Sequence, residues 1–231
     1  MNLLIIDTET TGLDPINDQM IELGAILYSV PHQTSLHQVS TLIPALHNPQ
    51  EKVNRIPSKA LPDVSPHIHE MAFEMFLEMV KHADYAVAHN ADFDAQWFEE
   101  GVLERDGHPL KWLCTMSDFE FPLQTRPGES LISVALAHGI GVSSAHRALT
   151  DCLLIAALFD RLNDLPELIA HATRLKTVYI AKISYDDRQL AKDVGFKWNP
   201  DRKIWFRKMA REDIEKLPFK VVEDALSPSI S

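Results

Sequence analysis

The stretch "NLLIIDTETTG", residues 2–12, decides how the chain is read. Leu3 to Ile6 form an apolar run that predicts a buried strand over residues 2–7. The strand ends on Asp7, and Glu9 follows two residues later. At that spacing both carboxylates point to the same side of an extended chain. An unpaired carboxylate in a core costs several kcal/mol. Two of them where a core strand ends call for something positive to face.

Outward from this stretch, "MIELGAILYSV" (residues 20–30) and residues 35–43 predict a second and third strand. Gly12, Asp14 and Pro15 supply the first turn. Prolines between His47 and Pro66 predict loops with one short helix. "HEMAFEMFLEMVKHA" (69–83) has helical spacing, with Met71, Met75, Met79 and Phe76 read as core packing. "DYAVAHN" (84–90) predicts a short strand, "DFDAQWFEEGVLERDG" (92–107) a helix and "WLCTM" (112–116) a strand. Two more helices are expected in "SLISVALAHGIG" (130–141) and "AHRALTDCLLIAALFDRL" (145–162). The alternation predicts an α/β layer fold, a mixed sheet that opens antiparallel and is flanked by helices.

Near residue 174 the pattern changes. "TVYIAKIS" and "KIWFRKM" read as strands, "YDDRQLAKDVGFKWNP" and "REDIEKLPF" as short helices. The expected organisation is a main domain over 1–173, a small α+β module over 174–222 and a flexible tail over 223–231.

Charge follows the same division. The net charge is −11, which alone argues against nucleic acid. Residues 1–173, however, carry 9 Lys and Arg against 24 Asp and Glu, whereas residues 174–220 carry 13 against 7. An acidic body therefore bears a basic appendage. No apolar run approaches the ~20 residues of a membrane helix, and the N-terminus runs into a strand without signal-peptide features. Cys114 and Cys152 show no disulfide or zinc spacing. A cytoplasmic protein without membrane partners is expected; oligomeric state is left open.

Two further stretches carry chemistry. Asp94 lies in "HNADFD" after a short strand. His146 and Asp151 lie in "HRALTD", read as part of a helix on which a five-residue spacing puts them about 140° apart, flanking a site. Carboxylates converging from separate elements repel unless a cation sits among them, and hard divalent ions such as Mg²⁺ or Mn²⁺ suit oxygen ligands. Two such ions can clamp the attacking and leaving oxygens of a phosphodiester displacement. A histidine is well suited to take a proton from the attacking water. Each stretch alone has an ordinary explanation: a solvated turn, a helix cap, a surface histidine, a polar helix position. Their joint occurrence in this order favours a site.

"DTETTG", "HNADFD" and "HRALTD" together resemble the three motifs of the DEDD-type 3′–5′ exonucleases of the histidine subclass (DnaQ-like), over roughly residues 1–165. That group includes the proofreading epsilon subunit, ribonuclease T and oligoribonuclease. The resemblance implies a ribonuclease H-like fold and hydrolysis of single-stranded DNA and/or RNA from the 3′ end. It implies two Mg²⁺ or Mn²⁺ ions, with Asp7 bridging both, Glu9 and Asp151 completing the tighter site, and Asp94 holding the second. His146 would be the general base. Thr10 and Thr11 would contact the terminal nucleotide through backbone, Leu13 would pack near the last base, and Asn90 and Phe93 would shape the second motif. The alternative from another class is a nucleic-acid-binding or assembly subunit of a larger complex, with weak nuclease activity.

In the appendage, "LAKDVGFKWNPDRKIWF" resembles a small, poorly characterised domain appended to nucleic-acid-processing proteins. Lys197, Trp198, Arg202, Lys203, Trp205 and Arg207 are its candidate nucleic-acid contacts, since bases stack on aromatics while cations track phosphates. Against this, Trp198 and Trp205 are also expected to form the core of so small a module. Docking to a protein partner is the other expectation.

Overall fold

The computed structural model describes residues 1–143 and 146–225. β1 (Asn2–Thr10), β2 (Met20–Ser29) and β3 (Thr34–Leu42) form an antiparallel meander. A loop region holds α1 (Glu51–Asn54) and a 3₁₀ turn at Ser58–Asp63 and leads to α2 (Pro66–Lys81). Ser65 caps α2 by accepting from the Ile68 amide, and Pro66 occupies the first turn, where a missing N–H costs nothing. β4 (Tyr85–Ala88) then pairs parallel with β1. After α3 (Ala91–Ala95) come a small hairpin, β5 (Glu104–Arg105) and β6 (His108–Pro109), and then β7 (Lys111–Cys114), which pairs parallel with β4. The sheet order is β3-β2-β1-β4-β7. α4 (Leu131–Ala137), α5 (Ala148–Phe159) and α6 (Leu165–Ala172) complete the body.

Strand alternation assigns the layers. Leu3 and Ile5 of β1 enter one core with residues of α4, α5 and α6, whereas Leu4 and Ile6 enter the other with Phe76 and Met79 of α2. All four strand residues are fully buried, each stabilising by about 1.5–3 kcal/mol before ordering costs. The odd-numbered side of β1 therefore faces α5, and Asp7 and Glu9 continue it. Gly24 of β2 stands opposite Asp7 in register. A Cβ there would lie 2.5 Å from the Ala148 carbonyl carbon and overlap the Leu149 amide nitrogen. Only a glycine lets the first turn of α5 rest on the sheet at this point.

The expectations for local structure need several corrections. β1 runs through Thr10, so Asp7 and Glu9 lie within it rather than after it. The helix read over 92–107 stops at Ala95; Asp106 and Gly107, with φ of 54° and 76°, instead turn the β5–β6 hairpin, as two left-handed residues do in a tight primed turn. His146 precedes α5 with φ 60° and is not helical, so the angular argument about a shared helix does not apply. Met79 and Phe76 are buried, but Met71 and Met75 are exposed, because α2 presents only one side to the sheet. Among the described residues no helix is long and apolar enough to cross a membrane.

A separate sheet follows, β8 (Lys176–Ala181), β9 (Lys197–Asn199), β10 (Ile204–Ala210) and β11 (Val221–Glu223), in the order β11-β8-β10-β9 and antiparallel throughout. α7 (Arg188–Asp193) and a 3₁₀ turn at Arg211–Lys216 accompany it. Tyr179, Ala191, Phe196 and Met209 form its core, with Trp205 partly buried against them. Trp198 is 46% exposed and so is not a core residue, contrary to the expectation: β9 is an edge strand, and the ring lies against the cross-strand Trp205. The tail also begins later than expected. Glu223 belongs to β11, and the buried Asp224 receives two hydrogen bonds from Arg202. Residues 226–231 of the expected tail lie outside the described residues.

Candidate active site

Parallel pairing of β1, β4 and β7 brings their C-terminal ends to one edge of the sheet. Asp7 and Glu9 come from β1 and Asp94 from α3, just beyond β4. Asp94 is 2% exposed, and its Oδ1 accepts from the Thr8 amide at 3.0 Å and the Thr8 hydroxyl at 2.9 Å. Asp151 descends from the first turn of α5. One ligand atom each from Glu9, His146 and Asp151 lie within 4.8 Å of one another.

Negative charge here is uncompensated. Burial, followed by the charges of Asp94, Asp151, Glu9 and Glu22, pushes the Asp7 carboxyl well above the ordinary carboxylate range. Burial and then Glu22 raise Glu9 to about 8. Burial raises Asp94 to about 7 against the opposing bonds from Thr8. Asp151 is likewise raised by burial, opposed by His146. Its Oδ1 is buried without a hydrogen-bond partner among the described residues. Converging oxygen donors, all strained toward protonation, with one carboxylate oxygen left unpaired, fit a hard divalent cation.

The remaining expected residues divide by location. Thr10 and Thr11 are buried, and their hydroxyls bond within the loop, to the Gly12 carbonyl at 2.6 Å and Asp18 Oδ1 at 3.3 Å. They shape the turn after β1 and leave their side chains no polar group for a ligand. Leu13 is 79% exposed at that turn. Asn90, with φ 79°, starts α3, and its carbonyl accepts from the Phe93 amide at 2.8 Å. Phe93 packs edge-on to Trp97. His89 joins this segment to the one after β7, bonding Thr115 Oγ1 at 2.9 Å and the Glu129 carbonyl at 3.1 Å.

Sequence reasoning missed Glu22 and Arg147. Glu22 is 2% exposed and stands directly opposite Glu9 in the β1–β2 register. Arg147 Nε reaches both its oxygens at 3.1 and 3.0 Å, Arg147 Nη2 donates to Oε1 at 2.7 Å, and the Ala148 amide donates to Oε2 at 3.1 Å. This clamp pins the start of α5, with His146 just before it and Asp151 one turn on. A lone Glu in an otherwise apolar strand, and an Arg beside the motif histidine, were the available signals. Glu22 is buried but the Arg147 side chain is 40% exposed, so solvent screens part of the loss and removing Arg147 costs about 1–2 kcal/mol. Arg147→Ala should therefore lower the melting temperature by roughly 4 °C and slow hydrolysis at least about tenfold, with Arg147→Lys intermediate because it keeps the charge but loses the fork. Melting and turnover at wild-type values in Arg147→Ala would discount the clamp.

Comparison with known proteins follows from this geometry. The family model described as "Exonuclease" matches residues 4–159. The chain belongs to this exonuclease family. The DNA polymerase III subunit epsilon of Treponema pallidum (strain Nichols) is 31% identical to this exonuclease over 160 residues, 66% of this chain and 72% of that protein. The 3′-5′ exonuclease DinG of Staphylococcus haemolyticus is 29% identical over 170 residues, 70% of this chain; the match spans 18% of DinG's length. Among solved structures, Exonuclease X in complex with 5′ overhanging duplex DNA aligns with a TM-score of 0.51 at 26% identity, covering 70% of this chain and 91% of that one. E. coli Exonuclease I in complex with a dT13 oligonucleotide aligns with a TM-score of 0.60 at 14% identity, covering 89% and 54%. That likeness shows the fold, the expected ribonuclease H-like mixed sheet. The enzyme class is 3′–5′ exonuclease, as the motifs implied. Residues 177–223 match a domain of unknown function, DUF8626.

Proposed function

We propose that the chain is a metal-dependent 3′–5′ exonuclease that releases nucleoside 5′-monophosphates from single-stranded DNA and/or RNA. The observation that carries this reading is the meeting of Glu9, His146 and Asp151 within 4.8 Å at an unpaired Asp151 oxygen, with Asp7 and Asp94 near enough for their charges to act on one another and on Asp151. The four carboxylates would hold two Mg²⁺ or Mn²⁺ ions. Bound there, the ions would supply Lewis-acid stabilisation of charge on the phosphate.

The chain's own groups do the rest. His146, exposed beside Asp151, takes the proton of the attacking water on an imidazole nitrogen. The water oxygen bonds to the phosphorus of the terminal nucleotide as the bond to the preceding 3′ oxygen breaks, and that oxygen leaves as an alkoxide that takes a proton from solvent. Asp151 and Glu9 stabilise the imidazolium that results, since both lie in reach of the ring. Thr8 holds Asp94 in one rotamer through two hydrogen bonds, and the Glu22–Arg147 clamp holds the start of α5. The acidic site is thus preorganised before any substrate arrives.

DNA ends are favoured as one substrate because Exonuclease X, 26% identical to this chain, was solved in complex with 5′ overhanging duplex DNA. The test is digestion of matched DNA and RNA oligonucleotides labelled at either end, with Mg²⁺, Mn²⁺ or EDTA. A 5′-labelled strand should shorten as a ladder with either ion and stay intact in EDTA. Release of a 3′ label as mononucleotide at the first cut should accompany a 5′-labelled strand one nucleotide shorter; a ladder seen only with the 3′ label would reverse the polarity and overturn the reading.

A further inference from the structure

The cations expected to contact nucleic acid in the module are not equivalent. Arg202 is committed to Asp224 at 2.6 and 2.9 Å, and Arg207 is largely buried and donates to the Val194 carbonyl at 2.7 Å. Neither guanidinium is free to follow a phosphate chain. Other groups are. The Arg188 guanidinium lies 4.2 Å over the Tyr185 ring. Lys192, four residues on and so on the same face of α7, lies 5.9 Å over Trp205. Trp205 in turn lies 5.4 Å from its cross-strand partner Trp198. Tyr185, Arg188, Lys192, Trp205 and Trp198 therefore form one continuous arc of aromatic rings and cations. Tyr185 is 77% exposed, and the ion pairs of the module, Arg174 and Lys216 with Asp213 and Arg202 with Asp224, lie elsewhere than on α7.

The module's position adds to this. Lys176 at the start of β8 bonds Asp118 at 2.8 Å with both side chains nearly buried, and Asp118 also accepts from the Cys114 amide that ends β7. Gly195 lies close against Pro127. The module is thus fastened to the sheet edge where the strands bearing the acidic site also end.

We infer that this arc binds the single-stranded nucleic acid beyond the terminal nucleotides, with bases stacking on Trp198 and Tyr185 and phosphates on Arg188 and Lys192. The inference rests on the exonuclease reading for its substrate, but its binding chemistry does not require turnover. Charge favours this occupant: a polyanion is repelled by a body with 24 acids against 9 bases and attracted by a module with 13 bases against 7 acids. A single strand also offers the flat apolar faces that exposed rings accept.

The test uses the full chain in EDTA, with fluorescence anisotropy of labelled dT30 and dT5 across a salt series. Trp198→Ala and Tyr185→Ala should each weaken dT30 about tenfold, with dT5 unchanged. Arg188→Ala/Lys192→Ala should reduce the steepness of the dT30 salt dependence by about 1.4 log units per log unit of salt, about 0.7 per cation. Trp198→Phe should restore binding. If Trp198→Ala fails to fold, Tyr185→Ala and the double variant decide, since neither removes a buried group. Wild-type dT30 affinity in those variants, or equal losses on dT5, would overturn the arc. Because no hydrolysis is measured, an inactive enzyme that still binds through the arc would refute the exonuclease reading alone.

Discussion

Asp7→Asn should abolish hydrolysis, by at least about 10³-fold, and should also make the metal-free protein more stable at pH 8. The two effects have one cause. Asp7 lies among Asp94, Asp151, Glu9 and Glu22, and its carboxyl is raised by burial and by all of them. A carboxyl with a folded-state pKa above its unfolded value holds its proton more tightly when folded. Its contribution to stability is then present at low pH and is lost as pH rises through the folded value. For Glu9 that window runs from about 4.5 to about 8, and for Asp94 from about 3.8 to about 7. At pH 8 without divalent ions Asp94 is largely ionised and Glu9 about half, so the wild type carries much of the repulsion, and the amide at position 7 removes its own share. A gain of about 2 kcal/mol, roughly 5 °C in melting temperature, is expected in EDTA at pH 8. The gain should shrink toward pH 5, and Mg²⁺ should raise the melting temperature of the wild type but not of the variant. Calorimetry at pH 5 and pH 8, with and without Mg²⁺, reads all of this. A variant that melts below the wild type at pH 8 in EDTA would show that Asp7 is not under electrostatic strain.

His146→Ala should lower turnover by about 10²–10⁴-fold while leaving oligonucleotide affinity in EDTA within about twofold. His146 touches the site from outside the helix that carries Asp151, and its ring is exposed, so its loss leaves an open gap rather than a collapsed core. Added imidazole should enter that gap and restore part of the rate, as a free base occupying the vacated position. Turnover within about threefold of wild type in His146→Ala would remove it from the reaction. A loss that imidazole cannot relieve, accompanied by a lower melting temperature, would make its role structural.

Legibility in the sequence varied with the physics involved. The Asp7–Glu9 pair was readable because two acids ending a run of Leu and Ile contradict burial, and such a contradiction needs a function. The layer order followed from alternation, since Leu3 and Ile5 face one core while Leu4 and Ile6 face the other. Glu22 escaped notice because its meaning lies in register: only pairing β2 with β1 sets it opposite Glu9. "HRALTD" reads as helical because Arg147, Ala148 and Leu149 favour a helix and run into the apolar stretch after Asp151, whereas the chain turns left-handed at His146. The false helix over 92–107 arose from a run of Ala, Gln, Glu, Leu and Arg outweighing an Asp-Gly pair that marks a hairpin. In the module, β9 and β11 have three residues each, too few for any periodicity to show. Strands of that length are specified by their neighbours.

Gly24 has a bearing on the chemistry although it contributes no atom to it. The first turn of α5 rests on this residue, which faces Asp7, and Asp151 belongs to that same turn. Any side chain at position 24 would act as a shim and lift the helix, and Asp151 with it, away from the sheet. The aperture of the acidic cleft is gauged by a position that has no side chain.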